Sequence, residues 1–546
     1  MSTNISKQKR EDLLAKIKEI RTFISAAPQD ENTSNLLSYL SELEKDVNGK
    51  KYGLVFEEHR DEIDEVLETH TPVLTEEKGL FINNGGQMNF LIEGDNLASL
   101  KLLKKTHKGK IDLIYIDPPY NTGNKDFTYD DVYVDSLDNF KHSKWLSFMR
   151  SRISLAKKLL SDTGLVFISI DDNEVAQLKI LCDEIFGNSN FRGQIVRATG
   201  TPTGQGNATI SNEIDYVLVY ARTSNAIFNG LPFDDESSKI YNLIDEYGRY
   251  LNRPLRKTGG EDRREDRPSM YYPIFAPDGT EVYPIAPSGY ESRWRCQEST
   301  YHNLVKEHRI EWKKDKKGWK VYQKFYLEGR TKQPGNLWVG IEGNKKATIT
   351  LKNVLGNNVF SFPKPIELIT RIIQIATNSD SIILDFFAGS GTTGHAVLQY
   401  NAERTNSNRC FILCTNNENN ICREVTYERI KRVIDKERYA ASLKYYKVDY
   451  VPISDRLYYE YADELLKHIR ELVELENAIN FTGNAEIAIV LTEEELDDFI
   501  SHIDEKCKKL YLGHDILMDA QQAQILKDRK ITINIIPDYY YKELEG

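Results

Sequence analysis

Four consecutive residues, Asp117-Pro118-Pro119-Tyr120, combine groups that can hold a flat, amine-bearing ring. The Asp117 carboxylate and the Pro118 carbonyl can accept hydrogen bonds from an exocyclic amine, and Tyr120 can stack on the heterocycle. Two successive prolines stop a strand ladder and stiffen the backbone behind the acid. A second stretch, Asp385-Phe386-Phe387-Ala388-Gly389-Ser390-Gly391-Thr392-Thr393-Gly394, reads as a ligand-binding loop. Gly389 and Gly391 permit a tight turn and close backbone approach, and the helix predicted over 394–403 offers free N–H groups to an anion. The loop lacks the Lys-Ser/Thr of a P-loop and the full GxGxxG fingerprint. It suits the carboxylate end of an amino-acid-bearing nucleoside. Glu418, beyond the next predicted strand, stands where an acid can bind ribose hydroxyls, with Asn417 as the weaker alternative. Each piece alone has a plainer reading: a proline turn, a generic tight turn, a cap. Together they predict two half-sites, one for a nucleoside cofactor and one for an amine-bearing base.

The elements that must position these groups alternate between short apolar runs and amphipathic stretches, as in a parallel α/β sheet. Leu113-Ile114-Tyr115-Ile116 is a strand whose carboxyl end delivers Asp117, the edge where open α/β sheets bind ligands. Strands are also predicted at 89–92, 165–170, 381–384 and 410–414, with a β pair at 191–197 and 215–221. Helices are predicted at 97–105, 140–161, 173–185, 366–377 and 426–438, with Pro365 at the first helical position of its helix. Residues 8–46 read as a helical pair with stripes Leu13, Leu14, Ile17, Ile20, Phe23, Ile24 and Leu36, Leu37, Leu40, Leu43, joined by 30–34. Residues 47–87 read as a charged linker with a helix at 57–68, and 199–211 as a mobile loop beside the opening. After about Pro452 a small α/β unit is expected, with helices at 460–479, 493–504 and 519–526 and strands at 485–491, 508–512 and 531–535.

The chain has 546 residues and a net charge of -11, which argues superficially against nucleic acid. The distribution weakens that objection: residues 453–546 hold 21 acids against 10 Lys plus Arg, so the rest balances near zero. Within 306–332, 10 basic residues face 4 acidic ones, interleaved with Trp312, Trp319, Tyr322 and Phe325. Over 223–356 the helix–strand alternation fades into an inserted, basic and aromatic domain. Arg253, Arg256, Lys257, Arg293, Arg295, Lys313, Lys314 and Lys317 are its candidate DNA contacts, since Lys and Arg suit phosphates and Arg suits base edges. The plainer reading is a solvated face. No apolar run of 18 residues predicts a membrane span, and the first residues carry no secretory signal, so a cytoplasmic protein is expected. The six cysteines are read as reduced thiols, with no metal site; Cys410 and Cys414 lack CxxC geometry.

The motifs DPPY at 117–120, DFFAGSGTTG at 385–394 and FPKP at 362–365 resemble those of DNA amino-methyltransferases that use S-adenosyl-L-methionine. The order, catalytic motif before cofactor motif with a large insertion between, resembles the β class of adenine-N6 enzymes, and in particular the modification subunits of type III restriction-modification systems. The resemblance covers roughly 89–440. It implies a Rossmann-like α/β methyltransferase sheet with permuted motif order, an inserted target recognition domain and a small C-terminal α/β domain. The implied divisions are an arm at 1–50, the catalytic half of the core at 51–222, the recognition domain at 223–356, the cofactor half at 357–450 and an acidic domain at 451–546. Asp117, Pro118, Pro119 and Tyr120 would form the catalytic pocket. Asp385, Phe386, Ala388, Gly389, Ser390 and Gly391 would line the cofactor, with Lys364 and Pro365 at its methionine end, Asp95 and Asn96 near its adenine, and Glu418 beyond. Implied partners are double-stranded DNA, a second copy of the chain, and a restriction subunit, since no helicase loop or nuclease constellation is present. Rival readings are cytosine-N4 methylation, RNA or protein methylation through a related pocket, and a catalytically inert nucleic-acid-binding scaffold. The absence of Pro-Cys at the catalytic element disfavours cytosine C5.

Overall fold

Ten strands form one mixed sheet, in the order 70–76, 441–452, 87–93, 410–415, 382–385, 111–116, 160–170, 214–221, 191–198, 337–338. The computed structural model describes residues 5–541, apart from 27–30, 49–55, 124–127, 130–131, 134–139, 201–211, 317, 342, 358 and 454–457. Parallel pairing runs through the centre, from 441–452 to 160–170. Strand Ile111–Ile116 is buried on both faces because its residues alternate between two cores. Ile114 and Ile116 join helices Asn96–His107, Lys141–Leu159 and Val175–Phe186 on one side. Leu113 and Tyr115 join Ile366–Ala376, Thr392–Ala402 and Glu428–Glu437 on the other. Each fully buried aliphatic side chain contributes on the order of 2 kcal/mol. No helix among the described residues is long and apolar enough to cross a membrane.

Two neighbouring strands matter most. Ile383 and Leu384 pair with Leu113 and Ile114, in parallel. From 111–116 the chain crosses to 160–170 on one side, whereas from 382–385 it crosses to 410–415 on the other. Adjacent strands whose connections part in opposite directions open a crevice at their carboxyl ends. The two half-sites meet there.

The described residues 56–87 are not a linker. His70–Glu76 is an edge strand antiparallel to Ala441–Pro452. Pro72 and the polar flanks hid it, but an edge strand tolerates proline, and Val73 and Leu74 are fully buried. Its partner also lacked an assignment, because Lys444 interrupts the apolar pattern; in the fold Lys444 is buried against Glu474 at 2.6 Å and Glu76 at 3.0 Å. The helix expected at 57–68 is Glu62–Thr69. The helix expected from 394 begins at Thr392, because Gly391 in a left-handed conformation is already its N-cap. Pro365 is likewise the N-cap of Ile366–Ala376 rather than its first helical residue. The helix expected over 460–479 is two, Tyr458–Leu466 and Ile469–Asn477.

The insertion carries a four-stranded antiparallel sheet, ordered 243–245, 248–254, 318–326, 310–315. Its later part returns to the main sheet: Leu337–Trp338 pairs with Val196 and Arg197, so the core resumes before residue 356. The C-terminal unit is a three-stranded parallel sheet of Ile487–Val490, Lys509–Gly513 and Thr532–Ile536. Glu476 ties it to the core, accepting hydrogen bonds from the Tyr511, Tyr539 and Tyr540 hydroxyls and from Lys110. At the other end, helices Ile5–Ala26 and Glu31–Asn48 pack together, with Ile17 and Leu40 buried between them. Part of the connection read at 30–34 lies outside the described residues, as does nearly all of the 199–211 loop.

Candidate active site

The strand Ile111–Ile116 releases the chain into Asp117-Pro118-Pro119-Tyr120 at the crevice. The elbow is pinned from behind, where the Trp145 indole N–H donates to the Pro119 carbonyl at 2.8 Å. Asn121 holds the far side in a left-handed conformation (φ 57°). Its amide donates to Glu174 and to the Lys141 carbonyl. Glu174 is itself fully buried, and burial raises its carboxyl above the ordinary range. The elbow is thus held by groups on the two helices that follow it.

Lys364 enters from the cofactor half. Its ammonium lies 2.8 Å from Asp117 Oδ1, donates to the Tyr120 hydroxyl at 2.7 Å and sits 4.7 Å from that ring's centre. The approach to Asp117 is an ion pair without hydrogen-bond alignment, and Asp117 Oδ1 is a buried acceptor with no hydrogen-bond partner. That oxygen retains capacity for a donor aimed into the crevice. Burial, reinforced by Asp117, pushes the Tyr120 hydroxyl well above the ordinary phenol range, so it stays protonated. The FPKP lysine is expected at the methionine end of a cofactor; the fold puts its ammonium between the Asp117 and Tyr120 side chains.

One strand over, Asp385 shapes the loop. Phe387 N–H donates to Oδ1 and the Thr393 hydroxyl to Oδ2, so both oxygens are spent on the turn. Gly389 (φ 47°) and Gly391 (φ 73°) take conformations that other residues rarely adopt. A Cβ on Gly391 would stand 3.2 Å from Thr426, whose hydroxyl donates to the Gly389 carbonyl. The Phe386 side chain belongs to the core and is fully buried, so only its backbone can face a ligand. Ala388 and Ser390 are buried at the turn. The helix from Thr392 has no side-chain cap at its N-terminus.

Asp95 caps helix Asn96–His107 through Leu97 N–H and Ala98 N–H. Buried Arg152 donates to Asp95 Oδ2 and Asn96 Oδ1, so both side chains are tied to the protein. Glu418 is an exposed turn residue that accepts from Asn416 just past strand Cys410–Thr415. A further buried network lies near Tyr120. Arg197 donates to both Asp215 oxygens and to Asn344, and Asp215 adds to the upward push on Tyr120.

The family model N6_N4_Mtase, described as DNA methylase, matches residues 111–426, from strand Ile111–Ile116 past the 385–394 loop. The chain belongs to the DNA methylase family. It is 34% identical over 409 residues to the type III restriction-modification enzyme EcoPI Mod subunit of Escherichia phage P1, covering 66% of this chain and 60% of that one. It is 38% identical over 340 residues to the type II methyltransferase M.KpnI of Klebsiella pneumoniae, covering 59% of this chain and 79% of that one. The chain thus spans about 60% of the length of the EcoPI Mod subunit. The solved PvuII DNA methyltransferase (cytosine-N4-specific) is similar at 12% identity and a TM-score of 0.35, over 66% of this chain and 96% of that one, a likeness too loose to bear on the target base.

Methylase family membership leaves the insertion's surface to be read from its own residues. The two sequence-separated arginine groups come together: Arg256 bridges Trp294, the Lys257 N–H donates to the Arg293 carbonyl and the Arg295 N–H to the Leu255 carbonyl. Burial, with Arg253, Arg256 and Arg293 beside it, draws Arg295 below its ordinary range. Arg253 is exposed, and Arg256, Lys257 and Arg295 are half-buried. Arg293 departs from its expected place on the surface. It is buried and donates to the Glu261 carbonyl, because Trp294 beside it is core. Lys313 and Lys314 are exposed on the 310–326 hairpin, paired with Glu311 and Asp278. Lys317 lies outside the described residues.

Trp145, the catalytic placement of Lys364, and Arg429 under the Ser390–Thr392 turn escaped the sequence reading. The signal for Trp145 was present, since a Trp on the buried face of a helix needs an acceptor for its N–H.

Proposed function

We propose that this methylase family member transfers a methyl group from S-adenosyl-L-methionine to the exocyclic amine of a base flipped out of duplex DNA, and that the base is adenine, modified at N6. The observation that carries the reading is the Asp117 carboxylate, its Oδ1 ion-paired with the Lys364 ammonium at 2.8 Å, one strand away from the Asp385–Gly391 turn. The turn fits the cofactor: two left-handed glycines, an uncapped helix N-terminus, and no lysine that would mark a triphosphate site. When bound, the cofactor supplies an electrophilic methyl group on a sulfonium. Ala388, Gly389, Ser390 and Gly391 would hold its amino-acid end, and Asp95 with Asn96 would stand toward its adenine.

An exocyclic amine is a poor nucleophile because its lone pair is delocalised into the ring. Asp117 and the Pro118 carbonyl, each accepting one amine hydrogen, favour a pyramidal nitrogen and aim its lone pair. Tyr120 stacks on the ring and keeps water away. The protein's contribution is alignment of an in-line attack in a dry crevice. For a base to enter, the Lys364 ammonium must yield the space beside Asp117 Oδ1 while remaining near Tyr120.

Asp-Pro-Pro-Tyr supports adenine; cytosine N4 is the second reading, because the family spans both amines and the chemistry is shared. The clustered arginines of the insertion support DNA as substrate. Leu13, Ile20, Phe23, Leu36 and Leu43 are 46–72% exposed on the arm, which supports a homodimer that covers them. The match to the EcoPI Mod subunit supports a partner restriction subunit. The test is incorporation of labelled methyl groups into varied duplex DNA, followed by nucleoside analysis. Methylated adenine is expected, and Asp117→Ala should abolish incorporation while duplex binding persists. Absence of incorporation across all sequences would sink the enzyme reading, N4-methylcytosine would move it to the second reading, and an active Asp117→Ala would remove the assigned role.

A further inference from the structure

Arg429, on helix Glu428–Glu437, is 1% exposed. Its guanidinium Nη1 donates to the Ser390 carbonyl at 3.1 Å, to Ser390 Oγ at 3.2 Å and to Thr392 Oγ1 at 2.8 Å, and Nε faces His395 Nδ1 at 3.3 Å. All four partners are neutral acceptors. Arg152, Arg197 and Lys444 are as deeply buried, yet each lies against a carboxylate. Arg429 has no such partner among the described residues. His395 does not change the balance: burial, with Arg429 beside it, holds the imidazole down at about 3, so it is neutral. Burial lowers Arg429 to about 9, which leaves it protonated at neutral pH.

A buried cation without a counter-ion costs several kcal/mol, and the fold keeps one directly behind the ligand-facing turn. The same turn leads into the start of helix Thr392–Ala402, which has no side-chain cap. Both features place positive potential at one spot, and among the described residues no carboxylate pairs with Arg429. We infer that Arg429 is the counter-charge for the carboxylate of the cofactor's amino-acid portion, acting through the Ser390-Gly391-Thr392 turn from its buried side. This rests on the cofactor reading proposed above. Arg429 is a positioning residue that makes no contact with the reacting atoms. It preorganises the turn and sets its potential, which a low-dielectric interior screens weakly.

The test compares two ligands by calorimetry on the full chain. S-adenosylhomocysteine carries the carboxylate; 5′-methylthioadenosine keeps the adenosine and thioether but has no amino acid. Arg429→Gln should weaken S-adenosylhomocysteine about tenfold or more and methylthioadenosine by less than about twofold, while Arg429→Lys retains most of the selectivity. A second variant leaves Arg429 in place: His395→Glu sets a carboxylate beside the guanidinium, and should produce the same selective loss with a thermal midpoint at or above that of wild type. It decides the matter if Arg429→Gln does not fold. Parallel losses for both ligands would reduce Arg429 to a structural clamp, and unchanged S-adenosylhomocysteine binding would overturn the inference. A wild-type protein that binds neither ligand would overturn the cofactor reading and this inference with it.

Discussion

Asp385→Asn should flatten the pH dependence of stability between about pH 4 and pH 8. Asp385 is 3% exposed at the end of strand Ile382–Asp385. Burial pushes its carboxyl from 3.8 up to about 7, outweighing the donors Thr393 and Phe387, and the nearby Asp117 pushes the same way. The folded protein therefore retains a proton that the unfolded chain releases near pH 4. The stabilisation is complete below the unfolded value and is lost as pH rises through the folded value, because the unfolded state binds fewer protons over that window. About three pH units at about 1.4 kcal/mol per unit make this loss about 4 kcal/mol. Asparagine keeps an oxygen for the Phe387 N–H and carries no charge at any pH. Urea unfolding of wild type and variant, measured side by side across this range, isolates the group, since every other titration is shared. The variant should gain about 4 kcal/mol relative to wild type between the two ends. Parallel curves would refute the buried, proton-retaining Asp385.

Trp145→Phe keeps an aromatic side chain but deletes the donor to the Pro119 carbonyl together with the pyrrole half of a fully buried indole. An unmet acceptor costs about 1 kcal/mol, so turnover in the methylation assay should fall about fivefold with S-adenosylhomocysteine affinity unchanged; unaltered turnover would show that the elbow needs no such brace. Arg197→Met strands Asp215, which is 5% exposed, and should cost about 3 kcal/mol in denaturant unfolding. Adding Asp215→Leu should restore most of that, and a double variant as unstable as the single would contradict the pairing argument.

The site's pieces were legible because their constraints are local. The four-residue apolar run Leu113–Ile116 reads as a buried strand, two prolines end it, and glycines two apart at the exit of another strand turn tightly. Those rules placed Asp117, Tyr120 and the 385–394 loop within a residue or two of their positions, with no knowledge of neighbours. They failed where a residue's partner is remote. Lys364 was assigned to the cofactor by position in its motif, although its ammonium meets Asp117 and Tyr120, 247 and 244 residues away. Arg293 looked like surface because it is charged, yet adjoining Trp294 draws it inside, where a carbonyl satisfies it.

By itself the amino-acid sequence determined which side chains could do the chemistry, in what order they occur, and that each stands at the end of a strand. Only the tertiary structure decided that strands 111–116 and 382–385 are direct neighbours, which turns two separate half-sites into one crevice. Strand adjacency depends on pairing across some 270 residues, and no local periodicity encodes it. The same holds for the edge strand His70–Glu76, which exists because Ala441–Pro452 offers it a ladder. It holds as well for Arg429, whose charge gained its meaning once the fold set it behind Ser390 and Thr392 with no acid among the described residues to meet it.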